Sequence, residues 1–152
     1  TGASITKDEN AFHTLPLLVS FIPMLMDTGG NCGSQSSTLI IRGIAVDEIR
    51  FHDLFKVVFK EFRVAVLVGF VLAAVNGLRI MLIYHSLRMA VLIGLSLIAT
   101  IILAKIVGCC LPLLAKKIGL DPAIMAAPLI TTLVDTCSIL IYFNIATHLF
   151  SL

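Results

Sequence analysis

Residues 23–38 read Pro23-Met24-Leu25-Met26-Asp27-Thr28-Gly29-Gly30-Asn31-Cys32-Gly33-Ser34-Gln35-Ser36-Ser37-Thr38. Three glycines, an Asp, an Asn, a Gln and several hydroxyls interrupt an otherwise apolar stretch running from about Thr14 to Ile41. A stretch of that length crosses a bilayer as a helix, which needs about 20 residues. Its polar centre cannot face hydrocarbon, where backbone and side-chain polar groups find no partner. It must face protein or a watery cavity. Small residues suit a tight helix–helix seam. Asn31 and Gln35, four apart on one helical face, suit a pore wall, and this is the favoured reading. Asp27 and Gly30 are further candidate pore-lining positions of this helix.

The rest of the chain supports a membrane setting. Of 152 residues, 59% are apolar and only 13% charged, against roughly 45–50% and about 25% in soluble domains. A small soluble domain keeps too much surface to hide such a content. Three more apolar runs follow, at about Val64–Ile83, Leu87–Leu114 and Ala123–Phe150. The expected fold is therefore an all-α, polytopic membrane bundle with about four transmembrane helices, filling residues 1–152 as one domain. A net charge of +2 without a basic, aromatic-interleaved stripe speaks against nucleic acid.

Charge is distributed unevenly over the connections. Arg42, Arg50, Lys56, Lys60 and Arg63 lie between the first two runs, and Lys116 and Lys117 between the last two. The other side carries Lys7, Arg79 and Arg88. The positive-inside rule puts the first and third connections in the cytoplasm and both ends outside, which calls for an additional span upstream. Within the first connection, Ile49, Leu54, Phe55, Val58, Phe59 and Phe62 recur at helical spacing between charges. This predicts an amphipathic helix in the membrane interface, the competing reading being an extension of the second span into water. Lys105 is expected to snorkel toward the cytoplasmic end. Cys32, Cys109, Cys110 and Cys137 form no CxxC pair and read as reduced, small hydrophobes. His13, His52, His85 and His148 sit near span ends and receive no role.

The fourth run contains Ala127-Pro128-Leu129-Ile130-Thr131-Thr132-Leu133-Val134-Asp135-Thr136-Cys137-Ser138. A carboxylate this deep costs ~2.5–3.5 kcal/mol to insert, which is tolerable if it meets water or a cation. Thr131, Asp135 and Ser138 share a helix face and form the expected metal site. Pro128, Thr132 and Thr136 are expected beside them along the pore. The alternative is a protonated Asp135 tying helices together. Asp27-Thr28-Gly29 matches the aspartic-protease tripeptide, but no β-rich context surrounds it and the Gly-x-Gly-Asp motif of intramembrane proteases is absent. No nucleophile–base pair is visible, so no enzyme is expected.

Gly29-Gly30-Asn31-Cys32-Gly33-Ser34-Gln35-Ser36, with Thr38 to Gly43, resembles the Gly-Gly-Asn-x-Gly-x-Gln signature of MgtE magnesium channels. Asp121-Pro122-Ala123, then Pro128, Thr132, Asp135 and Leu140-Ile141-Tyr142, is similar to the last span of that family. The resemblance covers nearly the whole chain. It implies a homodimer with five spans per subunit and a pore between subunits, lined by the spans that are first and fourth here. It further implies a hydrated Mg2+ held by the carboxylate at Asp135 from each subunit, a bacterial plasma-membrane location, and cytoplasmic sensing domains in the full-length chain. Ala127 and Ser138 differ from some relatives, which have Asn and Gly there. The expected cargo is Mg2+, with Mn2+, Co2+ and Ni2+ as further candidates. Channel-like conduction is the leading expectation, and a coupled secondary transporter exchanging Mg2+ for Na+ or H+ is the alternative.

Overall fold

The computed structural model describes residues 16–150. Four long helices form it: α1 (Ile22–Ala45), α2 (Leu54–Tyr84), α3 (Leu87–Lys117) and α4 (Ala127–Phe150). No strand occurs among the described residues. Lys7, His13 and Thr14, named in the sequence reading, lie outside them.

α2, α3 and α4 are each long and apolar enough to cross a bilayer. α1 has the length, at 24 residues and ~1.5 Å rise each, but its centre is polar. A shorter helical segment, residues 16–20, precedes it. The break falls where Pro23 cannot donate a backbone hydrogen bond. The Phe21 N–H reaches back only three residues, to Leu18, at 3.3 Å. The Tyr142 hydroxyl on α4 donates to that same Leu18 carbonyl at 2.8 Å and ties the break to the bundle.

The first connection corrects one expectation. No separate amphipathic helix forms between Asp47 and Arg63. A single 3-10 turn, Phe51–Asp53, leads directly into α2. The helix then runs 31 residues without interruption to Tyr84. The segment carrying Phe55, Phe59 and Phe62 is thus the first turns of the second span. Helical spacing is the same in both readings, and only the absence of a break distinguishes them.

α3 occupies the centre. Leu92, Ile93, Leu97, Ile101, Ala104, Cys109 and Leu113 are buried along its length, because α1, α2 and α4 all pack on it. Ser86 caps its start by accepting from the Met89 N–H at 3.4 Å, and Lys116 and Lys117 sit in its last turn, where cations complement the carbonyl end. α2 lies outermost, with Leu67, Phe70, Val71, Val75, Leu78 and Leu82 exposed. A core of Leu18, Phe21, Leu25, Leu92, Ile93, Leu97 and Tyr142 closes one end of the bundle, and Ile40, Cys109 and Leu113 the other.

α1 crosses α3 backbone to backbone. A side-chain carbon at Gly108 would collide with the Gly33 carbonyl oxygen, and one at Gly33 would meet Ile130 Cγ2 at 2.8 Å. The missing side chain at Gly108 permits this crossing and that at Gly33 lets Ile130 of α4 close on it, which brings the polar centre of α1 against α3 and α4.

Candidate functional site

α1 has two faces, and the two readings of its sequence fall on opposite sides. Gly29, Gly30, Gly33, Ser36, Ser37, Ile40 and Gly43 are buried. A carbon added at Gly29 would lie 2.6 Å from Thr100 Cγ2 and 2.9 Å from Val134 Cγ1. This side is a helix seam within one chain, formed with α3 and α4. Asp27, Asn31 and Gln35, spaced four apart, are exposed on the other side. They form a polar stripe that lipid cannot cover without leaving amide and carboxylate groups unpartnered.

α4 presents a matching stripe. Pro128, Thr132 and Thr136 are exposed, while Thr131 and Asp135 are half-buried in the groove between α4 and α1. Gly30 makes the groove. A carbon there would stand 3.1 Å from Thr131 Cγ2 and 3.6 Å from Asp135 Oδ1. The missing side chain leaves room for the carboxylate beside α1, with Asp27 and Asn31 flanking.

The threonine hydroxyls along this groove donate to their own helix backbone. Thr131 Oγ1 and Thr132 Oγ1 donate to the Pro128 carbonyl at 3.0 and 2.9 Å, and Thr136 Oγ1 to the Thr132 carbonyl at 3.0 Å. Their protons committed to the backbone, these oxygens offer lone pairs outward. Water around a cation points its hydrogens away from the ion, so a surface of acceptors suits a hydrated cation. Pro128 stands at the second position of α4, where a missing N–H costs nothing; it starts the helix rather than bending it. Ser37 Oγ on α1 donates to the Met125 carbonyl at 2.7 Å and fixes the approach of the chain to α4.

Two expected site residues are placed differently. Ser138 is fully buried, opposite Gly29, and its hydroxyl donates to the Val134 carbonyl at 2.6 Å. It belongs to the seam, because the turn from Asp135 to Ser138 rotates it toward α1 and α3. Gly30 is buried as well, so it shapes the groove without forming its open wall. Among the described residues no group of three or more His, Cys, Asp or Glu side chains is arranged to hold a metal. One chain therefore offers the groove at most the two carboxylates Asp27 and Asp135.

A further polar cluster escaped the sequence reading. Lys105 does not snorkel: its relative exposure is 3%, and that of Glu61 is 6%. Lys105 Nζ lies 3.2 Å from Glu61 Oε2. Ser36 Oγ donates to Glu61 Oε2 at 2.6 Å and accepts from Lys105 Nζ at 3.1 Å. The triad joins α1, α2 and α3 immediately behind the polar stripe of α1. The available signal was that Lys105 is the only charge between Arg88 and Lys116, many residues from either end of its span.

Residues 22–145 match the profile of the MgtE family, described as a divalent cation transporter. Among known proteins, the chain is similar to the magnesium transporter MgtE of Thermus thermophilus, with 36% identity over 146 residues, covering 96% of this chain and 32% of the relative. It is 35% identical over 151 residues to the magnesium transporter MgtE of Enterococcus faecalis, covering 97% and 32%. With the Bacillus subtilis magnesium transporter MgtE the identity is 33% over 147 residues, covering 97% and 33%. The chain thus spans about a third of the length of the curated relatives it matches.

Proposed function

Because the chain belongs to the MgtE family of multi-pass membrane proteins, we propose that it forms the wall of a transmembrane path for hydrated Mg2+. The observation that carries this reading is the Asp135 carboxylate, seated over Gly30 in an open polar groove between α1 and α4. A carboxylate in a span is costly unless it meets a cation, another polar group or water. Mg2+ dehydrates reluctantly and keeps several of its waters. A groove of outward-facing hydroxyl acceptors with one fixed carboxylate suits the ion with its water shell. Rings of acidic side chains select cations in other channels.

One groove is half of an enclosure. Two-fold pairing of two such chains would place a second Asp135, Asn31 and Gln35 across the same path, and closed two-fold dimers are the commonest oligomers. Two carboxylates together balance the 2+ charge. In this reading Asp135 is the ion site, with Thr131, Thr132 and Thr136 accepting from its waters. Asp27, Asn31, Gln35 and Pro128 line the approach. Ser138 has no part in it.

The alternative is a coupled exchanger, and helices broken near mid-membrane are typical of coupled transporters. α1 and α4 run continuously through their polar centres, which favours conduction as the reading proposed here. The test is Mg2+ uptake into proteoliposomes by wild type, Asp135→Asn and Asp135→Ala, each first checked for a monodisperse, helical product. Uptake should fall by at least tenfold in both variants and proceed in wild type without a sodium or proton gradient. Normal flux in either variant would remove Asp135 from the path. Strict dependence on a gradient would replace conduction with coupled exchange.

A further inference from the structure

The end of the bundle where α1 stops and α2 begins carries a second polar feature, well separated from the groove. The chain after α1 folds back over its last turn. The Glu48 and Ile49 N–H groups donate to the Gly43 carbonyl at 2.9 and 3.1 Å, and the Ile49 side chain fills the space that a side chain on Gly43 would need. Two adjoining cavities flank this turn, of about 350 and about 430 Å3, and share Glu48, Ile49, Val57 and Lys60 as walls. Arg42 lines the first, and Lys56, Phe59 and Arg63 line the second.

The charges of these walls do not cancel. Glu61 is taken by Lys105. Asp53 accepts the Arg50 backbone N–H at 3.0 Å and lies 3.4 Å from His52. Among the described residues, Arg42, Lys56, Lys60 and Arg63 make no ion pair, and neither does Glu48. Four cations without an ion pair therefore face two carboxylates, Glu48 and Asp53, a surplus that still favours an anion.

The position of the cavities selects the kind of anion. Phe55 is 86% exposed and Phe59 63% exposed on the same turns of α2, and the Arg63 guanidinium lies 6.0 Å from the Phe59 ring centroid. Just beyond, α2 continues as the lipid-facing apolar helix. Exposed aromatics among cations at the end of a span mark the headgroup level of a bilayer. Basic pockets at that level on the cytoplasmic side hold anionic headgroups. A free phosphate offers the same oxygens but has no use for the exposed rings.

We propose that these cavities bind the phosphate headgroup of an anionic phospholipid, with Lys56, Lys60 and Arg63 as its charged ligands and Phe55 and Phe59 against the start of its acyl chains. Glu48 opposes binding, which gives the proposal a test of each sign. The protein is purified in detergent with equimolar phosphatidylglycerol and phosphatidylcholine of matched chains, and retained lipid is measured by native mass spectrometry. Wild type should retain phosphatidylglycerol in clear preference. Each cation replaced by Gln in Lys56→Gln, Lys60→Gln and Arg63→Gln should weaken that preference about fivefold, from ~1 kcal/mol per surface cation. Glu48→Gln should strengthen it, an outcome that a merely damaged fold would not produce. Equal retention of the two lipids by wild type, unchanged preference in the combined cation variant, or no gain in Glu48→Gln would overturn the site. Inorganic phosphate at millimolar concentration should fail to displace the lipid; displacement would reassign the cavities to free phosphate.

Discussion

Glu61 and Lys105 illustrate how a side chain's role depends on what stands opposite it. Each is buried, and each satisfies the other with Ser36 as the third member. Removing one partner from a buried pair leaves an uncompensated charge and typically costs ~3–5 kcal/mol, whereas replacing both with apolar groups is often neutral. Lys105→Met should therefore lower the unfolding midpoint in a mixed-micelle SDS titration far more than the double variant Glu61→Leu, Lys105→Met. A double variant as unstable as the single would mean that the triad stabilises the fold beyond satisfying itself. Asp135 is in the opposite position. Among the described residues it makes no salt bridge. Glu61 thus serves the fold, whereas Asp135 is the carboxylate to which the proposed function assigns the ion.

At the level of elements, the crossing of α1 over α3 is the most constrained contact in the fold. Its tolerance can be measured against a glycine that touches nothing. A carbon at Gly108 would run into the Gly33 backbone, while one at Gly77 on α2 would find no atom within 4 Å. Backbone cannot move aside as a side-chain tip can, and overpacking costs typically ~1–3 kcal/mol. Gly108→Ala should destabilise the protein by at least that amount and reduce Mg2+ uptake, since it pushes α1 off α3 and displaces the α1 wall of the Asp135 groove. Gly77→Ala should instead stabilise by up to ~1 kcal/mol through helix propensity alone. Comparable midpoints for the two variants would show that α1 rides over α3 more loosely than the geometry indicates.

For the whole molecule, the charge left on the open face bears on how two chains can meet. Asp27 is exposed and Asp135 half-buried on the polar face formed by α1 and α4. In the proposed dimer two such faces meet, and the carboxylates repel until a cation lies between them. A ligand that binds only the native assembly stabilises it by about 2.7 kcal/mol at a hundredfold excess over its dissociation constant. Thermal unfolding of the purified protein should therefore show a higher midpoint in millimolar Mg2+ than in its absence. Asp135→Asn should shrink that difference. An equal midpoint with and without the ion in wild type would count against a shared site.

The membrane class, the helical bundle and the polar centres of α1 and α4 were legible in the sequence, because each depends on composition and spacing along one segment. Apolar runs of bilayer length, an interrupted run at Asp27–Ser37 and a lone carboxylate at Asp135 need no neighbour to be noticed. Tertiary packing alone decided which side of each helix carries which role. Gly29, Gly30 and Gly33 turn inward because α3 and α4 approach them, and Asp27, Asn31 and Gln35 are thereby left outside. Ser138 shares a helix with Asp135 but not its surroundings, since Gly29 of another helix covers it. The Glu61–Lys105 pair is 44 residues apart in sequence, and burial of either partner has meaning only once the other stands beside it. Whether the first turns of α2 lie apart from the span or continue it was undetermined by periodicity, because an amphipathic helix and the end of a longer one repeat at the same interval. The unbroken backbone from Leu54 to Tyr84 resolved it.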